Sequence, residues 1–244
     1  MRKVMGYIAG ALALAAIWEL AAIALGSPAL PRPSAAVPAF VRLLPGLWPH
    51  GLRSFARVLV AMLIGTVLAV PLGLVVGRSA RIDAVLAPII FITYPIPKVV
   101  FLPILLVLLG LGNAPKVALI ALIVFFQVLV TARDGARAVP EGTVLSVRSL
   151  GAGRFDVMRH VVFPAALPEL FTALRISSGT AVAVLFFAES IAGTEGLGWF
   201  IVDAWGRIDY PSMFAGIISM ALMGVVIYEG LDALEAWLTR WRRV

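Results

Sequence analysis

Six long apolar runs, at about 6–25, 55–76, 84–109, 114–131, 171–192 and 211–231, constrain this chain more than anything else in it. A helix needs about 20 consecutive apolar residues to cross the hydrocarbon core of a bilayer. Within that core every backbone donor and acceptor must be satisfied by the helix itself or by a closed barrel, and runs of this length suit helices rather than barrel strands. The expected fold is therefore an all-α polytopic bundle of about six transmembrane helices, one membrane domain over 1–244. Composition agrees: 61% of residues are hydrophobic and only 14% are charged, with a mean hydropathy of +1.02. The charges gather between the runs instead of recurring along a helix face, so they mark loops.

Several function classes are disfavoured on the same grounds, an ion-coupled secondary transporter being kept as the alternative of another class. The net charge of +7 comes from arginines flanking apolar spans, as topology requires, and not from a basic stripe interleaved with aromatics. Without cysteine there is no disulfide framework, thiolate nucleophile or Cys-ligated metal. The two histidines, His50 and His160, lack metal-ligand spacing. No GxxxxGK[ST] phosphate loop occurs, so the chain holds no nucleotide cofactor of its own. A convergent catalytic set is missing, and Glu19 and Glu189 are too scattered to form the coupling-ion site of a secondary transporter. No internal repeat of the kind such transporters carry is visible either.

Arginine and lysine placement sets the expected orientation. With both termini in the cytoplasm, that side receives Arg2 and Lys3, Arg78 and Arg81, the loop bearing Arg133, Arg137, Arg148, Arg154 and Arg159, and finally Arg240, Arg242 and Arg243. The opposite side receives Arg32, Arg42, Arg53, Lys116 and Arg207, with Arg53 and Arg57 snorkelling at the outer end of the second run. The first run could alternatively be a cleaved signal segment, but it is long for one and contains Trp18 and Glu19. The outer segment 26–52 holds six prolines, which argues against a long regular helix through it, although short pieces such as 35–44 are allowed.

The inner loop, about 132–169, is the only large cytoplasmic segment. In LGAGRFDVMRHVVFPAALP, 150–168, two short helices, 144–150 and 155–162, are expected to hinge at Gly151-Ala152-Gly153, with Pro164 ending the second. Such a helix-turn-helix suits insertion into a groove of a soluble partner, with Phe155 and Met158 as apolar contacts and Arg154 and Arg159 on the flanks. The competing reading is a loop whose arginines only hold the orientation.

In the third run, Tyr94-Pro95-Ile96-Pro97-Lys98 places two prolines and a charge near mid-membrane. The prolines free carbonyls that tolerate burial only beside protein or a wet cavity, and the lysine is costly unless paired or hydrated. This segment is the candidate translocation path, where a lysine would favour an anionic solute. Ser178 and Glu189 of the fifth run are further candidates. A structural ion pair between Lys98 and Glu189 is the alternative, and Ser177, Ser178 and Thr180 are of a type that more often serves helix packing than ligand binding. Gln127 is placed to bond across helices, Arg175 to snorkel, and the glycines of 193–198 to form a tight outer turn. Trp199 and Trp205 suit the outer interface belt or the edge of a binding-protein contact.

The loop resembles the EAA loop of ATP-binding-cassette importer permeases: Gly151, then Gly153, and the ending Val161-x-Phe163-Pro164 stand at the family's spacing. The Glu-Ala-Ala positions fall on Leu145, Ser146 and Val147, so the acidic residue is missing there, with Glu141 nearby as a candidate substitute. LPRPSAAVPAF, HGLRSFARVL, PLGLVVGRS, YPIPKVVFLPILLVLLGLG, FPAALPELFTALRISSG and AESIAGTEGLGWFI extend the resemblance along nearly the whole chain, to the nitrate/sulfonate/taurine type. The resemblance implies the type I importer fold in the cell inner membrane. It also implies a homodimer, two cytoplasmic ATPase subunits that bind ATP and Mg, and an extracytoplasmic solute-binding protein. The solute would be small and anionic, with a thiamine-precursor pyrimidine or another neutral molecule as the alternative.

Overall fold

Ten helices and no strand make up the residues described by the computed structural model, which are 2–243, with side chains described for 5–241. The basic residues expected at the two ends, Arg2, Lys3, Arg242 and Arg243, lie outside the described side chains. In chain order the helices are α1 (Arg2–Leu25), α2 (Pro33–Arg78), α3 (Ala80–Thr93), α4 (Leu102–Leu109), α5 (Asn113–Ala138), α6 (Glu141–Ser149), α7 (Arg154–Val157), α8 (Phe163–Ala192), α9 (Leu197–Gly206) and α10 (Tyr210–Leu238). Five are long and apolar enough to cross a membrane, and a sixth crossing arises if α3 and α4 count as one broken span.

One expectation is corrected here. The proline-rich segment is helical from Pro33 onward and runs unbroken into the second apolar run, giving a helix of 46 residues. Pro38, Pro45 and Pro49 are all exposed, whereas Ala36, Ala39 and Leu47 are buried. The prolines thus share one outward face, where the carbonyls they free can be hydrated while the packed face stays intact. The third run is broken at its prolines, as expected: α3 is bent by 82° from the 3-10 turn Lys98–Phe101 that opens α4. Pro95 and Pro97 remove two backbone donors within a single turn, and the chain does not re-form the same axis.

The chain divides into two units, 1–54 with 189–223, and 55–188 with 224–244. In the first, α1 is fastened by Trp18, whose indole Nε1 donates to the Pro31 carbonyl at 2.9 Å and whose ring stacks on Phe214 at 5.2 Å. Glu19 lies 3.9 Å from Arg32.

In the second unit, α2 and α5 approach until their backbones nearly touch. Gly65, Ala69, Gly73 and Gly77 recur every fourth residue and form a stripe of small residues on one side of α2. A β-carbon on Gly73 would stand 2.6 Å from the Ala132 Cβ, and one on Gly77 would stand 2.2 Å from the Arg133 carbonyl oxygen. Arg57 is buried rather than snorkelling, because its Nε donates to Asn113 Oδ1 at 2.7 Å at the start of α5. Arg175 is likewise held within the protein, by Asp232 at 3.2 Å and by Glu235 on α10.

Candidate functional site

The loop between α5 and α8 is built by local backbone chemistry. Val139 and Pro140 are extended, which stops α5 and starts α6 with Glu141 in its first turn, where a carboxylate favours the helix N-terminus. At the other end Gly151 takes φ +92°, a left-handed conformation that a residue with a β-carbon adopts only under strain. Its N–H donates to the Arg148 carbonyl at 2.9 Å and the Ala152 N–H to the Val147 carbonyl at 3.4 Å, the paired closure of a Schellman cap. Gly153 then precedes α7, its N–H donating to the Asp156 carboxylate at 3.0 Å. The hinge read at 151–153 is thus a rigid cap-to-cap turn.

Pro164 does not end the second helix. Met158–Val162 form a π turn, in which the Phe163 N–H reaches the Met158 carbonyl, and helix continues without interruption to Ala192. The widened turn makes room for the Pro164 ring, which lacks the N–H an α-turn would need.

Burial divides the loop into an anchored side and a presented side. Val144, Val157 and Val162 are buried, Met158 and Val161 half-buried. Leu150 is 87% exposed and Phe155 72% exposed on either side of the glycine turn. Arg154 and Arg159 are exposed beside them, and Phe163 is exposed where α8 begins. Two large apolar side chains left uncovered on a braced turn mark a surface for a protein or lipid contact.

Where α5 leaves the loop, Arg133 is buried and grips Asp83 of α3 with two nitrogens, at 2.5 and 3.0 Å, while its guanidinium lies 5.3 Å from the Phe91 ring. Arg137 adds a third contact to Asp83 at 3.3 Å. Both had been read only as topological charges. The partner acid is visible in the sequence, but nothing there says that residues 50 apart would meet.

The residues expected along the path fall into two groups. Lys98 donates through Nζ to the carbonyls of Thr93, at 2.8 Å, and Tyr94, at 2.5 Å, and sits 4.5 Å from the Phe126 ring centroid and 5.3 Å from that of Tyr94. It therefore closes the C-terminus of α3, where the carbonyls left without helical donors attract a cation. Tyr94, Pro95 and Pro97 are exposed around it. Ser178 is buried and donates to the Arg175 carbonyl at 2.7 Å.

Glu189 belongs to the other unit and is fully buried. Both its oxygens accept from the Ser54 hydroxyl, at 2.8 and 2.9 Å, and one accepts from the Gly198 N–H at 2.8 Å. Ser54 Oγ in turn accepts from the Leu197 N–H at 2.9 Å, and His50 Nδ1 accepts from the Gly196 N–H at 3.0 Å. The glycine turn at 193–196 thus wraps a carboxylate of its own chain. A β-carbon on Gly196 would fall 2.4 Å from it. Trp199 stacks on His50 at 5.3 Å, and Trp205 is exposed.

Two buried polar atoms, the Gln127 carboxamide oxygen and the Ser177 hydroxyl, have no hydrogen-bond partner among the described residues. The bond expected of Gln127 across helices is not made by that oxygen.

These features can be set beside known proteins. The family described as "Binding-protein-dependent transport system inner membrane component" matches residues 61–244. The chain is 34% identical over 195 residues to the taurine transport system permease protein TauC of Escherichia coli (strain K12), covering 80% of this chain and 71% of that protein. It is 28% identical over 234 residues to the formylaminopyrimidine transport permease protein ThiX of Halalkalibacterium halodurans, covering 95% and 94%. To the riboflavin transport system permease protein RibX of Chloroflexus aurantiacus it is 29% identical over 232 residues, covering 93% and 87%. Among solved structures, an inward-facing form of the MetNI methionine ABC transporter superposes with a TM-score of 0.67 at 20% identity, over 81% of this chain and 98% of that one, which establishes the type I importer fold. Multi-pass helices and a presented loop therefore have one explanation: the chain belongs to the binding-protein-dependent transport system inner membrane components, the permease subunits of ABC importers, and its ATPase is a separate partner.

Proposed function

We propose that two copies of this chain form the translocation path of an importer for a small anionic solute of the sulfonate or taurine class, with the 139–163 loop as the element that engages the ATPase. The observation that carries this reading is the exposed pair Leu150 and Phe155 on a turn fixed by Gly151 and Asp156. A rigid apolar tip transmits displacement to the helix it continues into, and here that helix is α8, joined through the π turn. Gly153, Arg154, Met158, Arg159, Val161, Phe163 and Pro164 form its flanks and its root. This face and both termini lie in the cytoplasm, and the glycine turn before α9 faces the solute-binding protein.

The solute would pass the α3–α4 break, beside Tyr94, Pro95, Pro97 and Lys98. Lys98 has three N–H donors and gives two to carbonyls, which leaves one for an anion. The unpartnered Gln127 oxygen and Ser177 hydroxyl suit polar contacts with a solute, since buried polar atoms without partners otherwise cost about 1–3 kcal/mol each. Ser178 follows Ser177 directly in the sequence. Glu189 acts as a buried anchor at the end of α8 and does not contact the solute. A neutral heteroaromatic solute is the second reading, supported by the near full-length alignment with ThiX.

The test is purification from the native membrane in mild detergent with identification of the copurifying proteins, followed by uptake in proteoliposomes. A stoichiometric ATPase and ATP-dependent taurine uptake support the first reading. Uptake of an aminopyrimidine in place of taurine supports the second, and a lone protein driven by an ion gradient overturns both.

A further inference from the structure

Four arginines converge on one cleft of about 660 Å³ in the second unit: Arg78 at the end of α2, Arg81 in the first turn of α3, and Arg148 and Arg154 of the loop. No acidic residue lines it. Arg78 is partly engaged, donating to the Val139 carbonyl at 3.2 Å and the Ala136 carbonyl at 3.4 Å. The other three side chains make no ion pair among the described residues. Four like charges held around one cavity repel one another, and an anion between them reverses the sign of that interaction.

The walls indicate which anion. The cleft lies just beyond the apolar run that ends at Val76, which is where a spanning helix would meet the headgroups. Its rim includes Val75 and Ile82, both exposed. From that rim an uninterrupted exposed apolar track leads away along α2, through Leu72 and Leu68, spaced to lie on one helix face. A free phosphate or a carboxylate side chain would have no use for the track; a phosphodiester with acyl chains would occupy both parts. Basic pockets beside membrane helices bind anionic headgroups in this manner, and guanidinium groups match phosphate oxygens in pairs.

We infer that the Arg78/Arg81/Arg148/Arg154 cleft binds the phosphate of an anionic phospholipid, whose acyl chain lies along the Val75–Leu72–Leu68 face of α2. The lipid would then tie the start of α3 to the loop, since Arg81 and Arg148 reach it from different elements.

The experiment uses the full-length chain in mild detergent, exchanged with phosphatidylglycerol or phosphatidylcholine and examined by native mass spectrometry. Retention of phosphatidylglycerol over phosphatidylcholine is expected. Arg81→Gln with Arg148→Gln should reduce that retention about thirtyfold, from two basic contacts near an anionic headgroup, while Arg81→Lys with Arg148→Lys keeps most of it. Equal retention of both lipids by the unaltered chain, or no loss in the glutamine variant, overturns the proposal. Displacement of phosphatidylglycerol by millimolar inorganic phosphate assigns the cleft to free phosphate instead. Loss of the ATPase with lipid retained assigns it to the ATPase.

Discussion

Ser54 and Glu189 are 135 residues apart, yet the serine hydroxyl sits 2.8 and 2.9 Å from the two carboxylate oxygens of the glutamate, and neither side chain reaches solvent. The same hydroxyl accepts the Leu197 N–H, so one serine joins α2, the end of α8 and the start of α9. Removing the carboxylate leaves buried donors without an acceptor. Glu189→Ala should destabilise the protein by about 3 kcal/mol, and Ser54→Ala by about 1–2 kcal/mol. The double variant should fall short of the sum, because the two residues share one network. Thermal unfolding in detergent reads all three, and strict additivity would show that the network is not a unit.

Phe155 makes the opposite prediction, since a residue 72% exposed contributes little to the fold of the isolated chain. Phe155→Asp should leave expression and melting temperature unchanged while releasing the ATPase from the copurified complex. A complex that survives the change would place the ATPase contact elsewhere.

The length of the apolar runs and the breakers between them made the membrane helices and the loop legible, because a span must be apolar for its whole length and a helix must end where glycine and extended residues follow. The glycine turn at 151–153 was readable for that reason. What was missed depended on which faces pack. Pro38, Pro45 and Pro49 read as breakers when counted, but their spacing puts them on one helix face, and only the buried partners Ala36, Ala39 and Leu47 reveal that the face is the outer one. Pro164 was misread because a π turn leaves no local signature. The partners of Arg57, Arg133 and Arg175 lie 50 to 60 residues away, and charge placement alone assigns such residues to a side of the membrane and not to a contact.

The Gly65–Ala69–Gly73–Gly77 stripe was present in the sequence as a four-residue repeat of small side chains, and it carries a graded prediction. Gly73→Val brings a branched side chain to where a β-carbon already stands 2.6 Å from Ala132 Cβ, so it should cost about 3 kcal/mol or prevent folding. Gly46→Ala, in the same helix with nothing within 4 Å, should be neutral or stabilise by about 0.5–1 kcal/mol. Fluorescence-detected size exclusion after graded heating distinguishes them. Equal behaviour would mean that α2 and α5 do not pack through this stripe.

Lys98 separates a structural role from a solute-binding one. As the closure of α3 it needs only a donor that reaches the Thr93 and Tyr94 carbonyls, and as a site for an anion it also needs its charge. Lys98→Met removes both and should abolish uptake. Lys98→Gln keeps a donor of shorter reach, so partial stability with no uptake is expected if the charge meets the solute. The readouts are ATP-dependent uptake and melting temperature, measured on the same proteoliposome and detergent samples. If uptake by Lys98→Gln falls only in proportion to its loss of stability, Lys98 serves the helix end alone, and the anion preference must arise from the binding protein.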